Sequence, residues 1–250
     1  MQRMKALAIA GALIVAGCDS GGSEQLDTIP PSSATVGPLP TLPESSDVAT
    51  TEPAPTVTLP DGVVGLSAEG PWTLVDSAPG VTTPGLVYEL MPGLWVYLPV
   101  VEDIPNGITW TLNEEDRPII EAYLQARLVY YLAVTSRPMD FSSEGWNDFY
   151  VDGGDRLKGV MEPRGAAGQM VDLVAGVVLR PTVGGDGRTE VDALVLDCVL
   201  DGAVRRNLDG SIAEGSTPGI AAVEVGATLR FVDGLWKVDR IADGTVGACG

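Results

Sequence analysis

The clearest pattern in the chain is a strict alternation of apolar and polar residues close to the C-terminus. Asp233-Gly234 follows this alternation and suits a type I′ turn, and Trp236 and Val238 continue the apolar side beyond it. The pattern predicts a β-hairpin whose inward face is wholly apolar. The first strand contributes these residues to that face: Val223, Val225, Ala227, Leu229 and Phe231.

A helical period occupies the middle of the chain, where residues at every third or fourth position form one face. Asn113 or Asp116 can cap this helix, Pro118 is tolerated in its first turn, and Pro138 predicts an end near Ser136. The residues on the face are Ile120, Tyr123, Leu124, Arg127, Leu128 and Tyr131.

Two shorter helices and further strands complete the second half. We predict helices over Ser143–Tyr150 and over Asp155–Val174, the latter broken at Pro163, and strands over Val177–Val183 and Glu190–Leu200. Four short β-like segments precede the long helix and predict a small β-rich appendage, residues 61–112, packed on the main domain. They are Trp72–Val75, Gly85–Leu90, Leu94–Leu98 and Ile108–Leu112.

One long helix, two shorter helical pieces and a four-stranded antiparallel meander predict an α+β domain over 113–250. This order resembles the nuclear-transport-factor-2-like cone fold of ketosteroid isomerases. The resemblance is closest to variants in actinobacterial lipoproteins and secreted proteins, through Val195-Leu-Asp-Cys198, Asp209-Gly210, the hairpin Val232–Val238 and Cys249. It implies a cone-shaped domain whose long N-terminal helix and shorter helices pack on a curved antiparallel sheet. It is almost silent about activity, because this fold carries enzymes and non-enzymes alike.

The N-terminus has the pattern of an export signal. Arg3 and Lys5 precede an uncharged apolar run, Ala6–Ala16, which is too short to span a bilayer. Val15-Ala-Gly-Cys18 resembles the lipobox of bacterial lipoproteins. The resemblance implies a signal peptide at 1–17, cleavage after Gly17, and a lipid anchor carrying fatty acyl chains such as palmitate on Cys18. We therefore expect the chain at the cell membrane, on its extracytoplasmic face.

Residues 18–60 are expected to tether the folded part to that anchor. Beyond Cys18 the stretch is rich in Pro, Ser and Thr and contains no Lys, Arg or aromatic residue. Such a composition cannot bury enough apolar surface to offset the entropy of ordering, so it is typical of a disordered spacer.

The remaining cysteines favour a disulfide. With Cys18 lipidated, Cys198 and Cys249 are left, and an even remainder in an exported chain is typical of a bridge; a reactive thiol is the alternative. In the relatives that the sequence resembles, the corresponding cysteines look like a disulfide pair.

Charge and composition narrow the function classes. The net charge is −19, which argues against nucleic acid as a partner, and the absence of histidine excludes Ser-His-Asp and Cys-His catalysis. No motif indicates a cofactor or metal, and no catalytic residue is assigned. The candidate pocket, between helix and sheet, is formed by Tyr123, Tyr130, Tyr131, Trp146, Tyr150 and Asp197, with Phe149 nearby.

The expected function of the domain depends on whether a ligand can reach these pocket residues. Tyr and Trp at helical spacing are more often core residues, and Asp197 faces either the helix layer or, as we favour, the solvent. We therefore expect a non-catalytic domain that binds an envelope protein or a small apolar ligand. The alternatives are a His-free isomerase or dehydratase with an open pocket, and an accessory component of an envelope assembly that uses residues 63–112 as its contact surface.

Overall fold

The computed structural model describes residue 59 and residues 63–100, 112–185 and 188–247. The predicted signal peptide, almost all of the predicted tether, Cys18 and Cys249 lie outside these residues, as does the predicted segment Ile108–Leu112 apart from its last residue. The chain divides into two units, Met1–Pro53 and Ala54–Gly250, and every described residue belongs to the second.

The second unit is an α+β domain built on a curved mixed sheet. Its helices are α1 (Arg117–Thr135), α2 (Gly145–Phe149) and α3 (Asp155–Ala166), with a 3-10 turn, Val151–Gly154, between the last two. The strands are β1 (Thr73–Val75), β2 (Gly85–Met91), β3 (Leu94–Pro99), β4 (Met170–Asp172), β5 (Val177–Leu179), β6 (Pro181–Val183), β7 (Asp192–Asp201), β8 (Val204–Arg206), β9 (Ala221–Val232) and β10 (Leu235–Val246).

The main sheet has the order β1-β2-β3-β5-β7-β9-β10, with β6 also paired to β7, while β4 and β8 form a separate two-stranded sheet. The pairs are antiparallel except for β3 and β5, which run parallel. This parallel pair joins the N-terminal strands to the meander. The segment predicted as an appendage therefore continues the main sheet, since β3 supplies Leu94 and Val96 to the same core as the long helix.

The C-terminal hairpin is confirmed as β9 and β10, and Asp233 and Gly234 adopt the positive φ values, 54° and 82°, of a type I′ turn. Val225, Ala227 and Leu229 are buried as predicted. Phe231 is not, with 43% of its surface exposed, because it lies near the tip of the hairpin, where its ring contacts the half-buried Trp236.

Helix α1 is the longest helix of the domain, and five of the six residues on its predicted face are buried, while Leu128 is half-buried. Asn113 supports its start, since its side-chain oxygen accepts a hydrogen bond from the Asp116 backbone N–H at 2.8 Å. Helix α3 is shorter than predicted: it passes Pro163 within its last turn and ends at Ala166, and β4 follows where the helix was expected to continue. No helix among the described residues has both the length and the apolar composition needed to cross a membrane.

The predicted strand Val177–Val183 is interrupted at one residue, which separates β5 from β6. The reason is a side chain: the backbone N–H of Arg180 donates to Asp197 Oδ1 at 2.6 Å instead of to a neighbouring backbone carbonyl. The strands on either side keep the same register against β7, so no residue is inserted at the interruption. Its effect is to supply one hydrogen-bond donor to the buried carboxyl group of Asp197.

Candidate functional site

A carboxylate from the sheet and a phenol from the long helix meet in the core of the domain. The Tyr123 hydroxyl donates to Asp197 Oδ2 at 2.7 Å, and Arg180 N–H occupies the other oxygen, Oδ1. Asp197 is 1% exposed and Tyr123 is fully buried. The expectation that Asp197 faces solvent is therefore wrong: it lies on the face of β7 that Val195 and Val199 share, against the helix.

Arg127 is the second charged group of this cluster, one helical turn after Tyr123. It is 7% exposed, and its Nη2 donates to the Tyr131 hydroxyl at 3.1 Å. Its guanidinium also lies over the rings of Tyr131, at 5.1 Å, and Tyr130, at 5.6 Å. The Arg127 Nε is buried without a hydrogen-bond partner among the described groups. We call Tyr123, Arg127, Tyr131 and Asp197 the buried polar cluster.

Burial controls the protonation of the cluster. It raises the pKa of the Asp197 carboxyl above the ordinary value, against the opposing effects of Arg127 and of the hydrogen bonds from Tyr123 and Arg180. Burial, reinforced by Asp197, holds the pKa of Tyr123 well above its ordinary value, so the phenol keeps its proton. Burial alone would lower the pKa of Arg127, but the surrounding tyrosines and Asp197 outweigh it and raise that pKa, so the guanidinium stays charged.

A stability difference that depends on pH tests the raised pKa of Asp197. The native state binds this proton more tightly than the unfolded chain, so the group stabilises the fold fully below the ordinary carboxyl pKa, 3.8. That contribution is lost as pH rises through the raised native pKa. We expect the stability advantage of the native sequence over Asp197→Asn, from urea unfolding, to be largest below pH 3.8 and to shrink toward neutrality. Asp192→Asn, at the exposed start of the same strand, is the control, and an advantage that grew with pH would contradict the assignment.

Aromatic side chains form a second group beside the cluster. Trp146, on α2, is fully buried and stacks on Tyr150 with centroids 4.9 Å apart. The Tyr150 hydroxyl donates to the Ala126 carbonyl of α1 at 2.7 Å, which ties the segment after α2 to the long helix. Gly154 is needed against this stack, because a Cβ there would lie 2.6 Å from the Trp146 ring and its φ is +72°.

The six predicted pocket residues therefore lie close together. Five of them are buried and Tyr130 is half-buried, so they belong to the packed core. What the sequence reasoning missed is Arg127, which was placed on the buried face but given no role, and Arg180. A signal for Arg127 was present, since it stands four residues from both Tyr123 and Tyr131 and so shares their face. Phe149 is partly buried at the edge of the same core.

Cys198 is disulfide-bonded. Its predicted partner, Cys249, lies outside the described residues, so the pairing itself stays a prediction. Arg180 lies beside the sulfur, with Nη2 2.8 Å from Cys198 Sγ and Nε 2.5 Å from the Cys198 carbonyl oxygen.

A surface groove of about 1090 Å³ lies between residues 150–160, which follow α2 and include the start of α3, and strands β9 and β10. Its lining includes the buried residues Tyr150 and Val238 and charged residues of both signs. The groove does not reach Asp197 or Tyr123, neither of which lines it. The other lining residues are Val151, Asp152, Gly154, Asp155, Arg156, Leu157, Val160, Arg230, Asp239, Arg240 and Ile241.

Comparisons with known proteins assign no family. No family model matches the chain, and no curated protein is similar to it at a significant level. Among the described residues, no group of three or more His, Cys, Asp or Glu side chains is placed to hold a metal ion.

Proposed function

We propose that this chain is a membrane-tethered, extracytoplasmic lipoprotein whose folded domain binds a protein or a small ligand without catalysing a reaction. One observation carries the non-catalytic part: Asp197 is 1% exposed, and Tyr123 and Arg180 occupy both of its oxygens. A general base must come within hydrogen-bond reach of the proton that it removes. In this domain that position is already filled by Tyr123.

The tether is supported by sequence. A short basic start, an apolar run too short to span a bilayer, and Val15-Ala-Gly-Cys18 occur in the order that lipoprotein export requires. The uncharged or acidic, proline-rich stretch that follows suits a spacer, and the anchor would hold the chain on the cell membrane. The combination is typical of a bacterial lipoprotein, and the likeness to actinobacterial members rests on the motifs of the folded domain, from Val195–Cys198 to Cys249.

We further propose that the folded unit is a cone-fold domain whose sheet has been extended at one side. In its favour, α1 packs across β7, β9 and β10, and two shorter helices follow it before the antiparallel strands. The extension is the set β1–β3, which joins through the parallel pairing of β3 with β5. In this arrangement the interior of the cone is filled by the buried polar cluster.

An enzyme remains the alternative, because a carboxyl of raised pKa beside a phenol is a combination that proton-transfer enzymes use. A His-free isomerase or dehydratase acting on a small hydrophobic substrate would need Asp197 to open to solvent. The full chain, incubated with small ketones, enones and hydroxy compounds, is expected to show no turnover above the rate of the Asp197→Asn variant. If the native chain turned over one of these compounds and the Asp197→Asn variant did not, the domain would be an enzyme and the proposed binding function would be wrong.

The anchor is tested by Cys18→Ala. In cells fed a radiolabelled or clickable fatty acid, the native chain is expected to carry the label and sediment with membranes, because the thioether on Cys18 supplies its only proposed anchor. The Cys18→Ala variant is expected to lose the label and leave the membrane fraction. Ser20→Ala, two residues away, is the matched control and should behave as the native chain does. Labelling that survived Cys18→Ala would refute the anchor.

A further inference from the structure

Arg180 contacts two neighbouring residues of β7 that point to opposite faces of the sheet. Asp197 points into the core, so alternation along the strand places Cys198 on the outer face. The backbone N–H of Arg180 donates to Asp197 Oδ1 at 2.6 Å. Its side chain turns the other way, where Nε donates to the Cys198 carbonyl oxygen at 2.5 Å and Nη2 lies 2.8 Å from Cys198 Sγ. A guanidinium therefore touches the sulfur of a disulfide.

The charge of this guanidinium is not paired with a carboxylate. Arg180 forms no ion pair with another residue in the described part of the chain, and β5 and β6, which flank it, contain no other charged residue. On the opposite side of Cys198, Glu224 of β9 is its partner in the strand register, but Glu224 is exposed, so water and salt screen its charge. The charged group in contact with the sulfur is therefore a cation.

A cation in contact with a disulfide favours the reduction of that bond. A bonded sulfur is neutral and gains little from a guanidinium, whereas the thiolate that reduction releases gains a charge-assisted contact. Stabilising the reduced form makes a disulfide more oxidising, and a sulfur whose thiolate is stabilised leaves faster in thiol–disulfide exchange. The outer face is open beside the bond, because Cys198 is only half-buried and a Cβ added at Gly226 would meet no other group within 4 Å.

We propose that Arg180 makes the disulfide of Cys198 a reducible bond, which an extracytoplasmic dithiol opens with Cys198 as the leaving thiolate. This step goes beyond the proposed binding function and needs only the proposed export of the chain. The predicted bond to Cys249 closes a loop that contains β8, β9 and β10. Its reduction therefore releases a constraint on the strands that complete the sheet.

The exchange takes place in two steps. The thiolate of the dithiol attacks the other sulfur of the bond, predicted to be that of Cys249, and forms a mixed disulfide there. The electron pair of the broken bond goes to Cys198 Sγ, where the guanidinium of Arg180 stabilises the negative charge. The second thiol of the reductant then attacks its own sulfur in the mixed disulfide and passes its proton to the departing Cys249 sulfur. The dithiol ends as a disulfide, and both cysteines of the chain end reduced.

Redox equilibrium tests the role of the charge. The full chain carrying Cys18→Ala, so that no third thiol exchanges, is equilibrated with mixtures of reduced and oxidised dithiothreitol and quenched with iodoacetamide. We expect the ratio of reduced to oxidised chain to fall about tenfold in Arg180→Gln, a midpoint about 30 mV more negative. Arg180→Lys, which keeps a charge near the sulfur, should lie between the two. Arg240→Gln is the matched control, since the Arg240 side chain is 70% exposed and makes no contact with Cys198, and it should leave the midpoint unchanged.

Trapping the intermediate identifies the leaving sulfur. After brief treatment with reduced glutathione and an acid quench, peptide mapping is expected to find glutathione on Cys249 and alkylation on Cys198. A purely structural contact between Arg180 and Cys198 would not produce this asymmetry. In the fully reduced chain at neutral pH, iodoacetamide is expected to modify Cys198 about tenfold faster than in Arg180→Gln, because the charge raises the fraction present as thiolate.

Three results would overturn the proposal. The first is the same midpoint for the native sequence, Arg180→Gln and Arg240→Gln. The second is glutathione found mainly on Cys198, and the third is a chain that shows two free thiols before any reductant is added. Trapping in the native sequence needs no variant at Arg180, so it decides the question even if Arg180→Gln does not fold. Loss of the lipid label in native cells or the discovery of turnover would overturn the proposed function instead, and neither would alter these readouts.

Discussion

Replacing Asp197 with Ala is expected to lower the free energy of unfolding by on the order of 3 kcal/mol at neutral pH. The Tyr123 hydroxyl and the Arg180 backbone N–H would both lose their acceptor in a place that water does not reach. A buried donor left without an acceptor costs about 1–3 kcal/mol. The charge of Arg127 would also lose its nearby carboxylate, although no direct ion pair joins the two. Urea unfolding, followed by the fluorescence of the tryptophans, measures the loss.

Asp192→Ala, at the exposed start of the same strand, is the control and should change the stability by less than about 0.5 kcal/mol. A double-mutant cycle of Asp197→Ala with Tyr123→Phe separates the pair from the rest of the cluster. We expect the two losses to be less than additive, because each substitution removes the same hydrogen bond. Strict additivity, or a loss for Asp197→Ala no larger than that of the control, would mean that the buried polar cluster does not stabilise the fold.

The burial of Asp197 could be predicted from the sequence only in part. Alternation in β7 already put it on the same face as Val195 and Val199, which are buried. Its residue type argued the opposite, because carboxylates are seldom fully buried without partners. The partners decide the question, and they come from Tyr123, 74 residues earlier, and from the backbone of Arg180. No local pattern reports such distant hydrogen bonds, so the side of the strand could be predicted but not its solvation.

The hairpin and the long helix were predictable because each is encoded by a period within its own residues. The parallel pairing of β3 with β5 was not, since about eighty residues separate the two strands and the signal for pairing is a contact rather than a period. The groove was not predictable for the same reason, because it also depends on a contact between residues that are distant in sequence. It exists because Tyr150 meets β10 at Val238 and then turns away, and nothing near either residue indicates the other. The aromatic residues of the core were found for the simpler reason that they share helical faces.

Replacing Trp146 with Ala is expected to cost about 3–5 kcal/mol, the largest effect of any single substitution that we consider. The indole is fully buried, stacks on Tyr150 and lies 5.9 Å, centroid to centroid, from Phe141, so its removal leaves a cavity among well-packed neighbours. Tyr150 and Gly154, which both contact the indole, also line the groove. The same substitution should therefore loosen one side of the groove.

Trp146→Phe distinguishes the contribution of aromatic packing from the cost of burying the indole nitrogen. Trp146 Nε1 is buried without a hydrogen-bond partner among the described groups, so the indole carries a desolvation cost that phenylalanine avoids. We expect Trp146→Phe to lose well under half of what Trp146→Ala loses, and to keep the groove. Trp236→Ala, at a half-buried tryptophan that packs against the edge of the core, is the control for removing a less buried indole and should cost less than Trp146→Ala. Equal losses for Trp146→Ala and Trp236→Ala in denaturant unfolding would show that the stack on Tyr150 does not hold the α2–α3 segment, and with it the wall of the groove, in place.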